Sequence, residues 1–120
     1  METKSIKAGV LRIGYLEHGN ADGWPCIMLH GFPYDVHAYA DTALILAEAG
    51  ARVIMPYMRG YGSTTFLSAN TVRSGEQAAF GSDLLALLDA LDIERAVIGG
   101  YDWGGRAACV VSALRPERVV

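Results

Sequence analysis

The sequence predicts an α/β protein: a mostly parallel sheet with crossover helices and an antiparallel hairpin at its N-terminal end. Three observations carry this. Short, largely apolar runs at residues 26–29, 52–56 and 96–99 are bounded by glycine or proline, the pattern of strands buried on both faces. Segments with helical spacing fill the intervals between them. A glycine-bearing loop follows each run: "HGFP", "MRGYGS" and "GYDWGG". Strand and helix in alternation make a parallel sheet, and such sheets place ligands beyond the carboxyl ends of their strands. The three loops therefore converge at one end.

The elements follow in order. Residues 5–16 alternate, with Ile6, Ala8 and Val10 and then Leu11, Ile13 and Tyr15, which predicts one or two antiparallel strands around Gly9. Residues 36–50 have helical spacing, with Ala40, Leu44 and Ala47 on the expected apolar side and Gly50 as the stop. Ser74 and Gln77 read as a capping box for the next helix, whose stripe is Leu84, Leu87, Leu88 and Leu91. Residues 105–114 predict a third helix of small residues ended by Pro116, and "RVV" then resembles a strand just beginning.

With 120 residues, 52% of them apolar and 19% charged, the chain is globular and long enough for one small domain. Its net charge is −3 and its basic residues are scattered, so no nucleic-acid partner and no membrane surface are expected. No apolar run approaches the roughly 20 residues that span a bilayer, and the N-terminus does not read as a signal peptide. Cys26 and Cys109 show no metal-ligand spacing, and each lies in an apolar stretch that suits a buried thiol. A reduced, cytoplasmic protein with no metal and no cofactor is expected.

The segment "GGYDWGG" asks why a carboxylate stands between glycines where a strand ends and a helix begins. A sharp turn that exposes Asp102 crowds its neighbours, and small residues two before and two after, Gly100 and Gly104, relieve that crowding. The helix starting at Trp103 turns free amides and its positive end toward the carboxylate, keeping it ionised as a nucleophile must be. The plainer reading is that Asp102 is an ordinary helix N-cap. Flanking glycines on both sides, which a cap does not need, count against it. Dinucleotide binding fits poorly, since the G-x-G-x-x-G spacing is absent and the carboxylate would repel phosphate.

Taken together, "HGFPYD", "RGYGST" and "GYDWGG", each after its strand and in this order, resemble the α/β-hydrolase fold. More narrowly they resemble its aspartate-nucleophile branch, the epoxide hydrolases and haloalkane dehalogenases. The resemblance covers nearly the whole chain and implies a role for each residue. Asp102 would attack an sp3 carbon and form an alkyl-enzyme ester that water then hydrolyses. The backbone N–H groups of Phe32 and Trp103 would form the oxyanion hole, with His30, Gly31, Pro33, Gly100 and Gly104 supporting the loops. The partner implied for a complete enzyme is a small apolar electrophile, an epoxide or an alkyl halide. Phe32 after "HG" looks more like the epoxide hydrolases, while Trp103 suits either group. Tyr57 departs from the aspartate many relatives carry two before the arginine, which bears on loop anchoring, and Arg59 reads as a structural hydrogen-bonder.

Ester hydrolysis needs a general base, and in this fold it follows the nucleophile in chain order. The histidines are His18, His30 and His37, and none follows Asp102; Glu117 is the only later acid. His30 is expected to brace the oxyanion loop, with a role as base the weaker alternative; His18 reads as a surface turn and His37 as a helix start. Residues 1–120 therefore read as an incomplete α/β-hydrolase domain, its N-terminal half, truncated at the start of the sixth strand of the family's sheet. The lid and C-terminal part would be absent and turnover lost. An open edge beside residues 96–99 would favour self-association. The alternatives are a dehalogenase-like hydrolase of the same mechanism, or a non-catalytic truncated remnant that associates with a partner.

Overall fold

A computed structural model describes residues 2–120. Among the described residues it contains strands β1 (Thr3–Ala8), β2 (Leu11–Gly19), β3 (Trp24–Leu29), β4 (Ala51–Pro56), β5 (Thr65–Phe66) and β6 (Val97–Gly100). The helices are α1 (Ala40–Glu48), α2 (Gln77–Ala90) and α3 (Trp103–Leu114), with single 3-10 turns at Val36–Tyr39 and Pro116–Arg118. The sheet runs β1-β2-β4-β3-β6, and β5 pairs separately with β2. β1, β4 and β5 are antiparallel to β2, whereas β4, β3 and β6 are mutually parallel. This is the mostly parallel sheet with an antiparallel N-terminal hairpin that the sequence predicts.

The unbroken apolar runs have a simple cause. Successive side chains of a strand point to opposite faces, and here both faces are covered. Leu29, Ile27 and Ile54 join a core under α2 and α3 that includes Leu84, Leu87, Leu88, Ala107 and Val111. Their neighbours Cys26, Val53 and Met55 join a second core under α1 with Val36, Tyr39 and Ala43. The alternation within β2 is broken likewise, with Leu11, Ile13 and Tyr15 on the first side and Leu16 on the second.

The structure corrects several expectations. The buried side of the first helical segment is Val36, Tyr39 and Ala43, and Leu44 is exposed. The segment opens with a 3-10 turn at Val36–Tyr39, and its buried face is the 36/39/43 side, not the 40/44/47 side. The capping box does not form. Glu76 occupies the N-cap of α2 without a side-chain bond, while Ser74 Oγ accepts the Glu76 N–H at 3.3 Å in a local turn. Val10 lies in the hairpin turn and is exposed, and His18 is a half-buried strand residue of β2, opposite Val53. Cys109 faces outward on α3, although Cys26 is buried as expected. β6 is half-buried because its outer side, from Val97 to Gly100, has no strand partner among the described residues. Just before it, Ala96 pairs in parallel with Val119.

Candidate active site

β6 turns into α3 at Asp102, whose backbone sits at φ +53°, ψ −125°, a region that non-glycine residues rarely enter. The glycines on either side explain how the chain closes so tightly. A Cβ on Gly100 would lie 2.7 Å from the Gly104 carbonyl carbon, and one on Gly104 would run into the Leu29 carbonyl oxygen. Helix and strand backbones therefore touch where side chains would ordinarily separate them.

Asp102 stands at the N-cap position of α3 but makes no capping bond. An N-capping aspartate is extended and accepts from amides within its own helix's first turn, at the second or third residue. Here Asp102 Oδ2 accepts the Phe32 N–H at 3.0 Å, across 70 residues of chain. The adjacent Trp103 N–H, the first of α3, also bears on this carboxylate and favours its charged form. These two amides, helped by the nearby Arg106 charge, hold the Asp102 carboxyl below the usual carboxylate range. The side chain is open to solvent.

The Phe32 amide is aimed by the loop after β3. Gly31 must be glycine here, because a Cβ would lie 2.6 Å from Asp102 Cβ. Its carbonyl accepts the Tyr34 N–H at 2.9 Å, and the Phe32–Pro33 peptide is cis. His30, fully buried, ties this loop to the one after β4. Its Nε2 accepts the Met58 N–H at 3.0 Å, so Nδ1 carries the proton and donates to the Gly31 carbonyl at 3.1 Å. Burial pulls the His30 pKa down, with the Gly31 bond and the Asp35 charge opposing. Both ring nitrogens are occupied, which leaves neither available as a base.

Trp103 is clamped: its ring centroid lies 5.5 Å from that of Phe80, and the Arg106 guanidinium lies 4.6 Å from it. On the other side of the loop, Tyr101 packs 5.9 Å from Tyr39 and 6.0 Å from Tyr34. Tyr39 donates to the Leu29 carbonyl at 2.7 Å, and burial pushes its phenol up to about 12.

Arg59 is turned toward α2. It grips Asp83 of α2 with two bonds, at 2.7 and 2.6 Å, and donates to the Ser74 carbonyl at 3.0 Å. Tyr57 is anchored through its backbone, its N–H on Gly14 and its carbonyl under the Thr64 hydroxyl. Among the described residues, no three His, Cys, Asp or Glu side chains converge in a way that would hold a metal, and no helix is long and apolar enough to cross a membrane. His18 and His37 lie on β2 and the 3-10 turn, with His37 paired to Asp35 at 3.0 Å. Glu117 pairs with Arg115 on the exposed C-terminal turn.

Sequence reasoning missed Thr64, Tyr61 and Asp83. Thr64 bridges the Gly14 N–H and the Tyr57 carbonyl, Tyr61 packs edge-on to His30 at 4.8 Å, and Asp83 pairs with Arg59. Only Asp83 had a legible signal: a lone acid among Leu84, Leu87 and Leu88 of a buried helix face needs a partner.

Residues 25–120 match the model of the alpha/beta hydrolase fold family. The chain is 31% identical to Epoxide hydrolase 3 of Siraitia grosvenorii over 99% of its own length and 35% of that protein. It is 32% identical to a haloalkane dehalogenase of Psychrobacter cryohalolentis over 90% of its length and 35% of that protein. Among solved structures, a Klebsiella pneumoniae protein assigned to the epoxide hydrolases superposes with a TM-score of 0.97 at 52% identity, over 98% of this chain and 39% of the other. The chain thus spans a little over a third of the length of these relatives. The family model covers most of the chain and the superposition with the Klebsiella structure is close, so the chain belongs to the alpha/beta hydrolase fold family and carries an epoxide-hydrolase-like N-terminal part of that fold.

Proposed function

We propose that these residues supply the nucleophile and the oxyanion donors of a hydrolase that opens epoxides through an ester on Asp102. The observation that carries this reading is the pair of amides, Phe32 and Trp103, converging on one solvent-open carboxylate at a strained turn. A carboxylate oxygen of Asp102 attacks a ring carbon of the epoxide, and the carbon–oxygen bond of the ring breaks. The ring oxygen leaves as an alkoxide and takes a proton from solvent water, which reaches the open site. Water then adds to the Asp102 carboxyl carbon, and the tetrahedral oxyanion takes up the two amides. Collapse releases the diol and restores the carboxylate, now holding one oxygen from water. Losing one such amide typically costs ~2.7–4 kcal/mol in the barrier.

The second step needs a base to deprotonate water, and these residues do not provide it. No histidine follows Asp102, and both nitrogens of His30 are bonded to backbone. The 120 residues alone are therefore expected to be alkylated once and not to turn over. The dehalogenase relative supports a second reading, attack on an alkyl halide by the same carboxylate. Phe32 after "HG", which resembles the epoxide hydrolases, favours the epoxide.

Incubation with a reactive aryl epoxide, followed by peptide mass mapping, tests the proposal. One adduct on the peptide holding Asp102 is expected, absent in Asp102→Asn. No adduct, or an adduct elsewhere, overturns Asp102 as nucleophile and supports the non-catalytic alternative. Diol formed over many turnovers overturns the dependence on a further base. Modification by an alkyl halide with none by the epoxide selects the second reading.

A further inference from the structure

Tyr61 stands between Gly60 at φ +87° and Gly62 at φ +50°, both in the left-handed region. At Gly60 an added Cβ would meet nothing within 4 Å, so backbone conformation alone demands glycine there. At Gly62 it would run into the Tyr57 ring. The loop therefore takes left-handed backbone on both sides of one side chain. The side chain so presented packs edge-on to the buried His30 ring, with centroids 4.8 Å apart and planes at 75°. Tyr57 is the next ring, at 6.4 Å. The Tyr61 N–H bonds the Met58 carbonyl at 3.0 Å, and its own carbonyl accepts the Thr64 N–H at 3.2 Å, so the loop carrying it is tied down on both sides.

His30 connects two backbones at its own expense in freedom: the Met58 amide on Nε2 and the Gly31 carbonyl on Nδ1. One residue beyond Gly31, the Phe32 amide reaches Asp102. We propose that Tyr61 is a positioning residue which, by packing against His30, holds the ring in the orientation that joins Met58 to Gly31 and so keeps the Phe32 amide on Asp102. Only the naming of Phe32 as an oxyanion donor rests on the function proposed above; the contacts of Tyr61 stand without it. The groups that bear on His30 are the Tyr57 and Tyr61 rings, the Gly31 carbonyl and the Asp35 charge. Tyr61 is half-buried where His30 is wholly buried, so trimming it brings water toward the imidazole.

Backbone amide exchange and the His30 ring nitrogen signals of the 120-residue chain, read by NMR, test this in Tyr61→Phe and Tyr61→Leu. Tyr61→Phe keeps the ring and is expected to match the parent. In Tyr61→Leu the Met58 and Phe32 amides are expected to exchange about tenfold faster, the scale of one net hydrogen bond. His30 should also titrate closer to its ordinary range, while Ile27 and Ile54 in the central strands keep the parent's exchange. Parent values at Met58, Phe32 and His30 in Tyr61→Leu overturn the proposal. So does acceleration of Ile27 and Ile54 in step with Met58, which would make Tyr61 a general core residue. If the leucine variant does not fold, Tyr61→Met, which fills the space without a ring, is judged by the same signals. Failure to fold in both would equally make Tyr61 a general core residue and overturn it. None of these signals depends on alkylation, so loss of the Asp102 adduct with the expected exchange pattern would sink the function and leave the role of Tyr61 standing.

Discussion

Asp102 and His30 show how the fold sets protonation states with backbone groups. At Asp102, two amides stabilise the charged form, so the carboxylate stays ionised below the usual range. At His30, burial and an accepted amide bond stabilise the neutral form. Because the folded pKa of His30 lies below its unfolded value of about 6.5, the unfolded chain binds more protons in the window beneath that value. The contribution of His30 is then complete above that value and is lost as pH falls through the depressed pKa. Urea midpoints are expected to drop from pH 7.5 to pH 5, and His30→Gln, whose amide oxygen can still accept from Met58, should lessen that drop. An equal drop in both proteins would mean that other groups dominate acid lability. The loop sequence showed a histidine beside "GFP" but not its bonds, because Met58 is 28 residues away in the chain.

Among the elements, α2 is held to the site by more than its leucines. Arg59, in the loop after β4, makes a two-pronged bond to Asp83, and both side chains are largely buried at 9% and 14% exposure. Asp83 in turn raises the Arg59 pKa. Removing one partner leaves the other charge buried and uncompensated, which costs about 3–5 kcal/mol for such pairs. Arg59→Met is expected to lower unfolding stability by roughly 3 kcal/mol, measured by urea denaturation, with Arg59→Leu/Asp83→Leu recovering part of it. A change within error would show the pair to be solvated. The helical stripe of α2 was legible because Leu84, Leu87 and Leu88 repeat at helical spacing. Its start was not, since Ser74 spends its hydroxyl on a local turn and α2 begins at Gln77 without a side-chain cap. The two-residue β5 was equally hidden: its pairing with Leu11 and Arg12 depends on a partner more than 50 residues away.

Over the whole molecule, three parallel strands end in loops that Asp102 and His30 tie together, while among the described residues the opposite side of β6 has no strand partner beyond Ala96. An unpaired strand edge templates pairing with another chain. The 120-residue protein is expected to self-associate with rising concentration, seen by sedimentation velocity, and Val97→Lys on that edge strand should shift it toward monomer. A concentration-independent monomer would show that the edge is protected. The sequence by itself determined the architecture, because buried runs, helical spacing and glycine-rich loops are local patterns that report which faces are covered. It also singled out Asp102, since Gly100 and Gly104 on either side leave no room for a Cβ where strand and helix backbones meet. Tertiary structure alone decided that Asp102 is not a helix cap, that His30 joins two loops and that Tyr61 backs it. Those facts depend on hydrogen bonds and ring contacts between residues far apart in sequence, which only the closed sheet brings within a few ångströms.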